Sequence, residues 1–98
     1  MSKELLNSII NRDIVDEFGR KVGQVVDLLI DKKSGRILAF VAKTSKSEEL
    51  LNKLSKDERG NIYIPTSVIS TVKNGFQIDE KKLRLIILKK KTLQKQEL

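Results

Sequence analysis

The stretch VDEFGRKVGQVVDLLID, Val15 to Asp31, decides the fold because it places two glycines four residues apart between two strand-like apolar runs. A phosphate-binding loop would need a glycine-rich turn leading from a strand into a helix, so that backbone amides face the anion. Here Gly23 is followed by Gln24 and VVDLLID, a run typical of a strand, and the sequence contains neither GKS, GKT nor GxGxxG. The pattern instead predicts a hairpin turn at Gly19 and a bulge or sharp bend of the strand at Gly23.

The runs around this stretch predict further strands that are separated by turns. Gly35 in DKKSGR predicts a tight hairpin, and the dipeptide Asn74-Gly75 predicts another turn. A short helix with an apolar stripe of Leu50, Leu51 and Leu54 is expected after Ser45 or Ser47, either of which can cap it. SVISTV is interpreted as a turn. The predicted strands are RDIVDE, KVGQVVDLLID, RILAFVAKT, IYIP, which Pro65 places at a strand end or a sheet edge, and FQID.

The predicted fold class is mainly all-β: a small barrel of five or six antiparallel strands with one short helix. The segment LRLIIL, 83–88, fits a final strand or the middle of a basic helix. A helix would place Leu85 and Leu88 away from the face shared by Leu83, Ile86 and Ile87, which favours the strand. Residues 1–88 are expected to form a single domain and residues 89–98 a flexible basic tail.

The composition bounds the possible functions. The 98 residues include no Cys and no His, which excludes disulfides, zinc-thiolate sites and thiol or imidazole catalysis. We therefore predict that the protein is not an enzyme and has no catalytic residues, no bound metal and no cofactor. No apolar run is long enough to span a membrane, so a cytoplasmic location is expected.

The acidic residues near strand ends are candidates for a metal cluster or an acid–base pair. These residues are Asp13, Asp16, Glu17, Asp27 and Asp31. Asp side chains commonly accept hydrogen bonds from nearby backbone amides in turns, so we interpret them as turn-stabilising or solvated. Phe18 lies in the same region, and it either caps the end of the barrel or is exposed as an anchor for a protein partner.

The net charge of +7 is concentrated near the C-terminus. Lys89, Lys90 and Lys91 are the candidate anion-binding residues of the tail, which could contact nucleic acid or an anionic membrane surface weakly and non-specifically, or could be a solvated charge run. An apolar segment that covers its own barrel with one face leaves the other face for a second subunit. A homodimer is therefore predicted, with Leu83, Leu85, Ile86, Ile87 and Leu88 at its interface.

The order of these motifs resembles a known family. DIVDEFGRKVGQVVDLLIDKKSGRILAFVAK is similar to the first half of the PRC-barrel domain, with its Gly turn, basic-x-Gly step, Asp-ended strand and Gly hairpin. IYIPTSVISTVKNGFQID is similar to the closing segment of that family, with Gly75 before the last strand. The resemblance covers roughly residues 5 to 79 and looks most like the stand-alone PRC-barrel proteins of archaea.

The resemblance implies a small PRC-type β-barrel that acts as a protein-interaction adaptor without catalysis. Its relatives act in photosynthetic reaction centres, in ribosome maturation and in archaeal cell division. The leading expectation is thus a cytoplasmic adaptor that recruits protein partners of unspecified identity, plausibly in cell division. The alternative is an RNA- or ribosome-associated protein that uses the Lys-rich tail and one face of the barrel.

Overall fold

Six β-strands and one long α-helix are present in the part of the chain that the structure, a computed structural model, describes. It describes residues 8–45, 48–73 and 75–97, with side chains through residue 89. The strands are β1 (Asp13–Val15), β2 (Lys21–Ile30), β3 (Ile37–Thr44), β4 (Ile62–Pro65), β5 (Ile69–Val72) and β6 (Gly75–Ile78), and the helix is α1 (Glu80–Glu97). The mainly-β class and the number of strands agree with the prediction.

The long β2–β3 hairpin is the centre of the sheet. Its β-branched and aliphatic residues pair across the two strands, with Val25 opposite Ala42 and Leu28 opposite Phe40. Gly35 has a φ of 73° in the connecting turn, a conformation that costs glycine little. The register between β1 and β2 shifts after Ile14, which leaves Val22 as an extra residue in β2. Such a bulge bends the strand, so β2 curves beside β1.

Gly23 and Gly75 lie inside strands rather than in turns, at places where two backbones come close together. A Cβ atom on Gly23 would lie 2.9 Å from the carbonyl oxygen of Lys43, and one on Gly75 would collide with the carbonyl oxygen of Asp13. A larger residue at either position would push neighbouring strands apart. Gly75 opens β6, and Asn74, the other member of the predicted turn dipeptide, lies outside the described residues.

The strand order is β4-β3-β2-β1-β6-β5, and the curved sheet forms half of a barrel. β1 pairs antiparallel with β2 but parallel with β6. The prediction of purely antiparallel strands is therefore wrong at this one pair. The parallel pairing follows from the topology, because the chain crosses from β3 through β4 and β5 before β6 returns beside β1.

The two edge strands are connected by a single 3-10 turn, Thr66–Val68. Pro65 ends the edge strand β4, as predicted, and it lacks the amide hydrogen that a further strand would require. The hydroxyl of Thr66 donates to the carbonyl oxygen of Ile37 at 3.2 Å, which ties the turn to the start of β3. Val68 is completely buried, so this turn also fills part of the core.

The segment LRLIIL belongs to α1, so the interpretation of this segment as a strand is wrong. Leu83 and Ile87, one helical turn apart, are 1% and 8% exposed and join the core. Leu85 and Leu88, whose positions off the shared helical face favour the strand in the sequence pattern, are 56% and 61% exposed and face solvent. The helix extends to Glu97, through residues for which a flexible tail is predicted, and that flexibility stays a prediction.

Two other local predictions also need correction. The expected short helix is a single 3-10 turn, Leu51–Lys53, preceded by Leu50 without a side-chain cap, and Ser47 lies outside the described residues. Leu51 and Leu54 are nevertheless buried, as their apolar pattern indicates. SVISTV is not only a turn, because Ile69–Val72 forms β5 and pairs with β6.

The fully buried side chains come from both halves of the sheet and from the helix. The largest are Ile14, Val25, Ile62, Ile64, Val68 and Leu83. Phe40 and Phe76 meet edge to face in the same region, with ring centroids 4.7 Å apart. One core therefore joins the sheet to α1.

The two leucines Leu83 and Leu85 give a matched test of this packing. We expect Leu83→Ala to lower the free energy of unfolding by about 2–5 kcal/mol, because it leaves a cavity in the core. Leu85→Ala should change it by no more than about 0.5 kcal/mol, since this side chain is mostly exposed. Urea denaturation followed by circular dichroism measures both values, and equal losses would contradict the orientation of α1.

Candidate interaction surface

The side chain of Phe18 is the most exposed of the large apolar side chains that the structure describes, with 80% of its surface accessible. It lies in the turn between β1 and β2, and it does not cap the end of the barrel. Of the two alternatives left by the sequence, the structure therefore places Phe18 where a partner could reach it. Gly19 follows with a φ of 80°, which allows the tight reversal after the ring.

A carboxylate fixes the shape of this turn. Asp16 Oδ1 accepts hydrogen bonds from the amides of Phe18 and Arg20, both at 2.9 Å. Asp16 Oδ2 accepts from Nε of Arg20 at 2.8 Å. The guanidinium of Arg20 lies 5.4 Å from the centroid of the Phe18 ring, within the range of a cation–π contact. The exposed ring is therefore held from one side by a charged group. We call residues 16–20 the Phe18 turn.

The electrostatics of the Phe18 turn favour the ionised form of Asp16. Removal from water raises the pKa of its carboxyl, but the hydrogen bonds from Arg20 and Phe18 and the charge of Arg20 outweigh this effect. The pKa of Asp16 consequently lies below its ordinary value of 3.8. Asp16 is therefore ionised at neutral pH, where it pairs with the guanidinium of Arg20.

Glu17 connects the Phe18 turn to the start of α1. Its Oε1 accepts from the backbone amide of Glu80 at 3.1 Å, and Asp79 Oδ1 accepts from the amide of Lys82 at 3.1 Å. Two carboxylates thus satisfy amides at the helix N-terminus, where the helix dipole favours negative charge. Glu17 was expected only to stabilise a turn or to be solvated, and no local pattern could reveal a contact 63 residues away.

The solvent-facing side of α1 is cationic and contains two leucines. At 100° per residue its exposed residues occupy roughly 160° of the helix circumference. Within the described part of the helix this side contains no carboxylate. We call this surface the cationic arc, and it consists of Lys81, Lys82, Arg84, Leu85, Leu88 and Lys89, all exposed.

The residues proposed for a dimer interface divide between two environments. Leu83 and Ile87 lie in the core, and Ile86 is half-buried against it. Only Leu85 and Leu88 face solvent. Of the predicted anion-binding lysines, Lys89 is exposed on the cationic arc, whereas the side chains of Lys90 and Lys91 lie outside the described residues.

The other acidic candidates occupy separate positions. Asp31 accepts from the amide of Lys33 and the hydroxyl of Ser34 in the β2–β3 turn. Asp13 forms an ion pair with Lys21 at 3.2 Å. Within the described residues, no group of three or more acidic side chains is arranged so that it could hold a metal ion.

An exposed apolar patch at the tip of the β2–β3 hairpin was not predicted as a site. Leu29 and Leu38 are 44% and 49% exposed there. The signal in the sequence is the adjacent pair Leu28-Leu29, because neighbouring strand residues point to opposite faces and both faces are then apolar. This patch lies at the opposite end of β2 from Phe18.

An open groove of about 410 Å³ borders this hairpin patch, and a second of about 910 Å³ lies on the outer face of β2, β3 and β4. The second is lined by both signs of charge, including Asp27, Asp57 and Lys43. Asp57 already accepts hydrogen bonds from the amides of Arg59 and Asn61 in its own turn. Asp27 likewise accepts a hydrogen bond from the amide of Leu28 at 2.8 Å.

The order of the Phe18 turn should depend on pH. In the unfolded chain Asp16 titrates near its ordinary value of 3.8, whereas its pKa in the folded chain is lower. The stabilisation is therefore complete above pH 3.8 and is lost as the pH falls through the lowered value. NMR titration of the Phe18 amide should show a midpoint below 3.8, and one at or above it would contradict the assignment.

Asp57 provides a control, because hydrogen bonds from Asn61 and Arg59 lower its pKa despite a desolvation effect in the opposite direction. Asp16→Asn should abolish the titration sensed by the Phe18 amide. It should leave the titration sensed by the Arg59 amide unchanged, since that amide donates to Asp57.

Comparison with known proteins agrees with this fold. The family model of the PRC-barrel domain matches residues 1–85, which include all six described strands and the start of α1. Uncharacterized protein MJ1118 of Methanocaldococcus jannaschii is 24% identical over 86 residues, which cover 88% of this chain and 92% of that protein. That similarity agrees with the stand-alone archaeal type. Because the family model matches most of the sequence, the chain belongs to the PRC-barrel domain family.

Proposed function

We propose that the chain is a non-catalytic adaptor that binds a protein partner through the Phe18 turn. The observation that carries this proposal is the exposed Phe18 ring, whose backbone amide donates to Asp16 and whose face lies 5.4 Å from the Arg20 guanidinium. Because hydrogen bonds to Asp16 hold the backbone of the turn, the turn loses little backbone freedom on binding, so more of the contact energy contributes to affinity.

The chemistry of the Phe18 turn is that of a protein-interaction anchor. Aromatic residues and arginine are enriched in the buried centres of protein interfaces and among the residues that dominate binding energy. Phe18 supplies the apolar anchor, and Arg20 supplies donors beside it. A fitting partner has an apolar pocket with an acceptor group at its rim.

The proposed adaptor acts in the cytoplasm and recruits its partner into a larger assembly, of which archaeal cell division is the leading example. Membership in the PRC-barrel domain family supports a small barrel that presents surfaces. The lack of Cys and His in the sequence, which removes thiol and imidazole catalysis, supports the non-catalytic part of the proposal.

The homodimer expected from the sequence would have to use a narrower surface than the five predicted residues. Leu85 and Leu88 are the two predicted interface residues that stay exposed. Two copies paired through this face would bring the cations of both cationic arcs together, and like charges repel. Any such dimer should therefore be stronger at high salt, where this repulsion is screened.

Affinity capture from the source cytoplasm tests the role of Phe18. We expect Phe18→Ala to lose partners that the wild-type protein retains, because a truncated anchor commonly costs about 2 kcal/mol or more of binding free energy. Leu38→Ala is the matched control, since Leu38 is also an exposed apolar residue but lies near the far end of β2. Identical capture by all three proteins would refute the proposal.

Phe18→Tyr extends this test by restoring an aromatic ring, and it should recover the partners lost by the alanine variant. Point variants are preferable here to a truncation after Asp79. A truncation removes Leu83 and Ile87 from the core, so lost partners would report lost folding.

RNA or ribosome association is the alternative function, and the four described cations of the cationic arc are the observation that favours it. Base stacking requires exposed aromatic side chains. The described part of the cationic arc contains no aromatic residue, Phe40 is buried and Phe76 packs against the core, so the exposed aromatic is Phe18 on the separate Phe18 turn. We expect RNA binding, measured by fluorescence anisotropy, to disappear near physiological salt, because phosphate contacts alone weaken steeply with salt. Tight, sequence-dependent binding at that salt would favour the RNA function over the adaptor.

A further inference from the structure

We propose that the cationic arc of α1 binds the surface of an anionic lipid bilayer, with Leu85 and Leu88 inserted between the headgroups. This site is separate from the Phe18 turn and does not depend on the proposed adaptor function. In the described residues no helix is long and apolar enough to cross a membrane.

The cationic arc combines two exposed leucines with four surrounding cations. Leu85 and Leu88 are one helical turn apart, and Lys81, Lys82, Arg84 and Lys89 lie around them. A helix that lies in a membrane interface buries leucines at the level of the acyl chains while its lysines and arginines contact anionic headgroups. Long Lys side chains reach the headgroups from positions beside the leucines.

The basic region extends along most of the sequence of α1. In the sequence of α1 the cations are Lys81, Lys82, Arg84, Lys89, Lys90, Lys91 and Lys95, against the acids Glu80 and Glu97. A cluster of four to eight Lys and Arg on a helix with exposed leucines is typical of recognition of anionic lipids. Glu80 lies at the N-terminus, next to the contact with Glu17, and is half-buried.

A protein partner, a second copy of this chain and RNA each fit the cationic arc less well than an anionic bilayer. Lysine is depleted in the buried centres of protein interfaces, and the described arc contains three lysines without an aromatic residue. A second copy would place like charges face to face. RNA would use the cations but would leave the two exposed leucines without a role. An anionic bilayer offers headgroup charges to the cations and acyl chains to the leucines.

The inner side of the helix makes this surface rigid. Leu83 and Ile87 hold α1 to the core, so the arc is folded before it meets lipid. Many interfacial helices fold only on the membrane and lose conformational freedom as they bind. A helix that is already packed on a barrel avoids most of that loss.

Co-sedimentation with lipid vesicles tests the proposal with the full chain. The probe is a vesicle of phosphatidylcholine with about one third phosphatidylglycerol, compared with a vesicle of phosphatidylcholine alone. We expect binding to the anionic vesicle and little to the neutral one. The double variant Leu85→Gln/Leu88→Gln should bind the anionic vesicle about tenfold more weakly, because it removes the inserting groups. Lys81→Gln/Arg84→Gln should weaken binding by a similar or larger factor.

The matched control is Leu29→Gln/Leu38→Gln, which removes two exposed leucines from the hairpin tip and should bind like the wild-type protein. All substituted side chains are exposed, and circular dichroism checks that each variant keeps its fold. Unchanged binding by Leu85→Gln/Leu88→Gln would overturn the proposal, since charge alone would then explain it. The proposal is equally overturned if the arc variants lose only RNA binding, or only a dimer seen by analytical ultracentrifugation, while vesicle binding is absent.

Discussion

The packing of α1 onto the open side of the half-barrel is the constraint on which the rest of the structure depends. A six-stranded sheet that curves through half a barrel leaves one side of its apolar interior uncovered, and Leu83 and Ile87 cover it. In a chain of 98 residues the core is small, so two buried side chains are a substantial part of it. The same packing fixes the rotation of the helix and therefore decides which of its residues face solvent.

The strands could be predicted because their signals are local. Period-two apolar runs, the Gly35 hairpin and Pro65 at a strand end each reflect a backbone preference that a few neighbouring residues express. Their combined order also indicated the PRC-barrel domain family, which the comparison of residues 1–85 confirms. Local signals could not predict the parallel pairing of β1 with β6, because these two strands are more than fifty residues apart in the sequence.

The state of the C-terminal segment shows where pattern analysis fails. LRLIIL is apolar at five of six positions, so a short window fits a strand with two apolar faces and a helix with exposed leucines almost equally well. The helix is chosen over the strand for two reasons. It covers the open side of the core, and two carboxylates accept hydrogen bonds from the first amides of α1. Asp79 is adjacent in sequence, but Glu17 is brought there only by the fold. Once the helix is chosen, its periodicity places Leu85 and Leu88 on the surface, away from Leu83 and Ile87.

The contact between Glu17 and the amide of Glu80 gives the two proposed binding surfaces a fixed relation. Glu17 immediately precedes Phe18, while Glu80 immediately precedes Lys81, the first residue of the cationic arc. One hydrogen bond therefore joins the Phe18 turn to the start of α1. Because both elements are also anchored to the same sheet, a partner held at Phe18 and a bilayer held at the arc would be kept at one fixed spacing. If both proposals hold, the barrel would act as a spacer between a protein partner and a membrane surface.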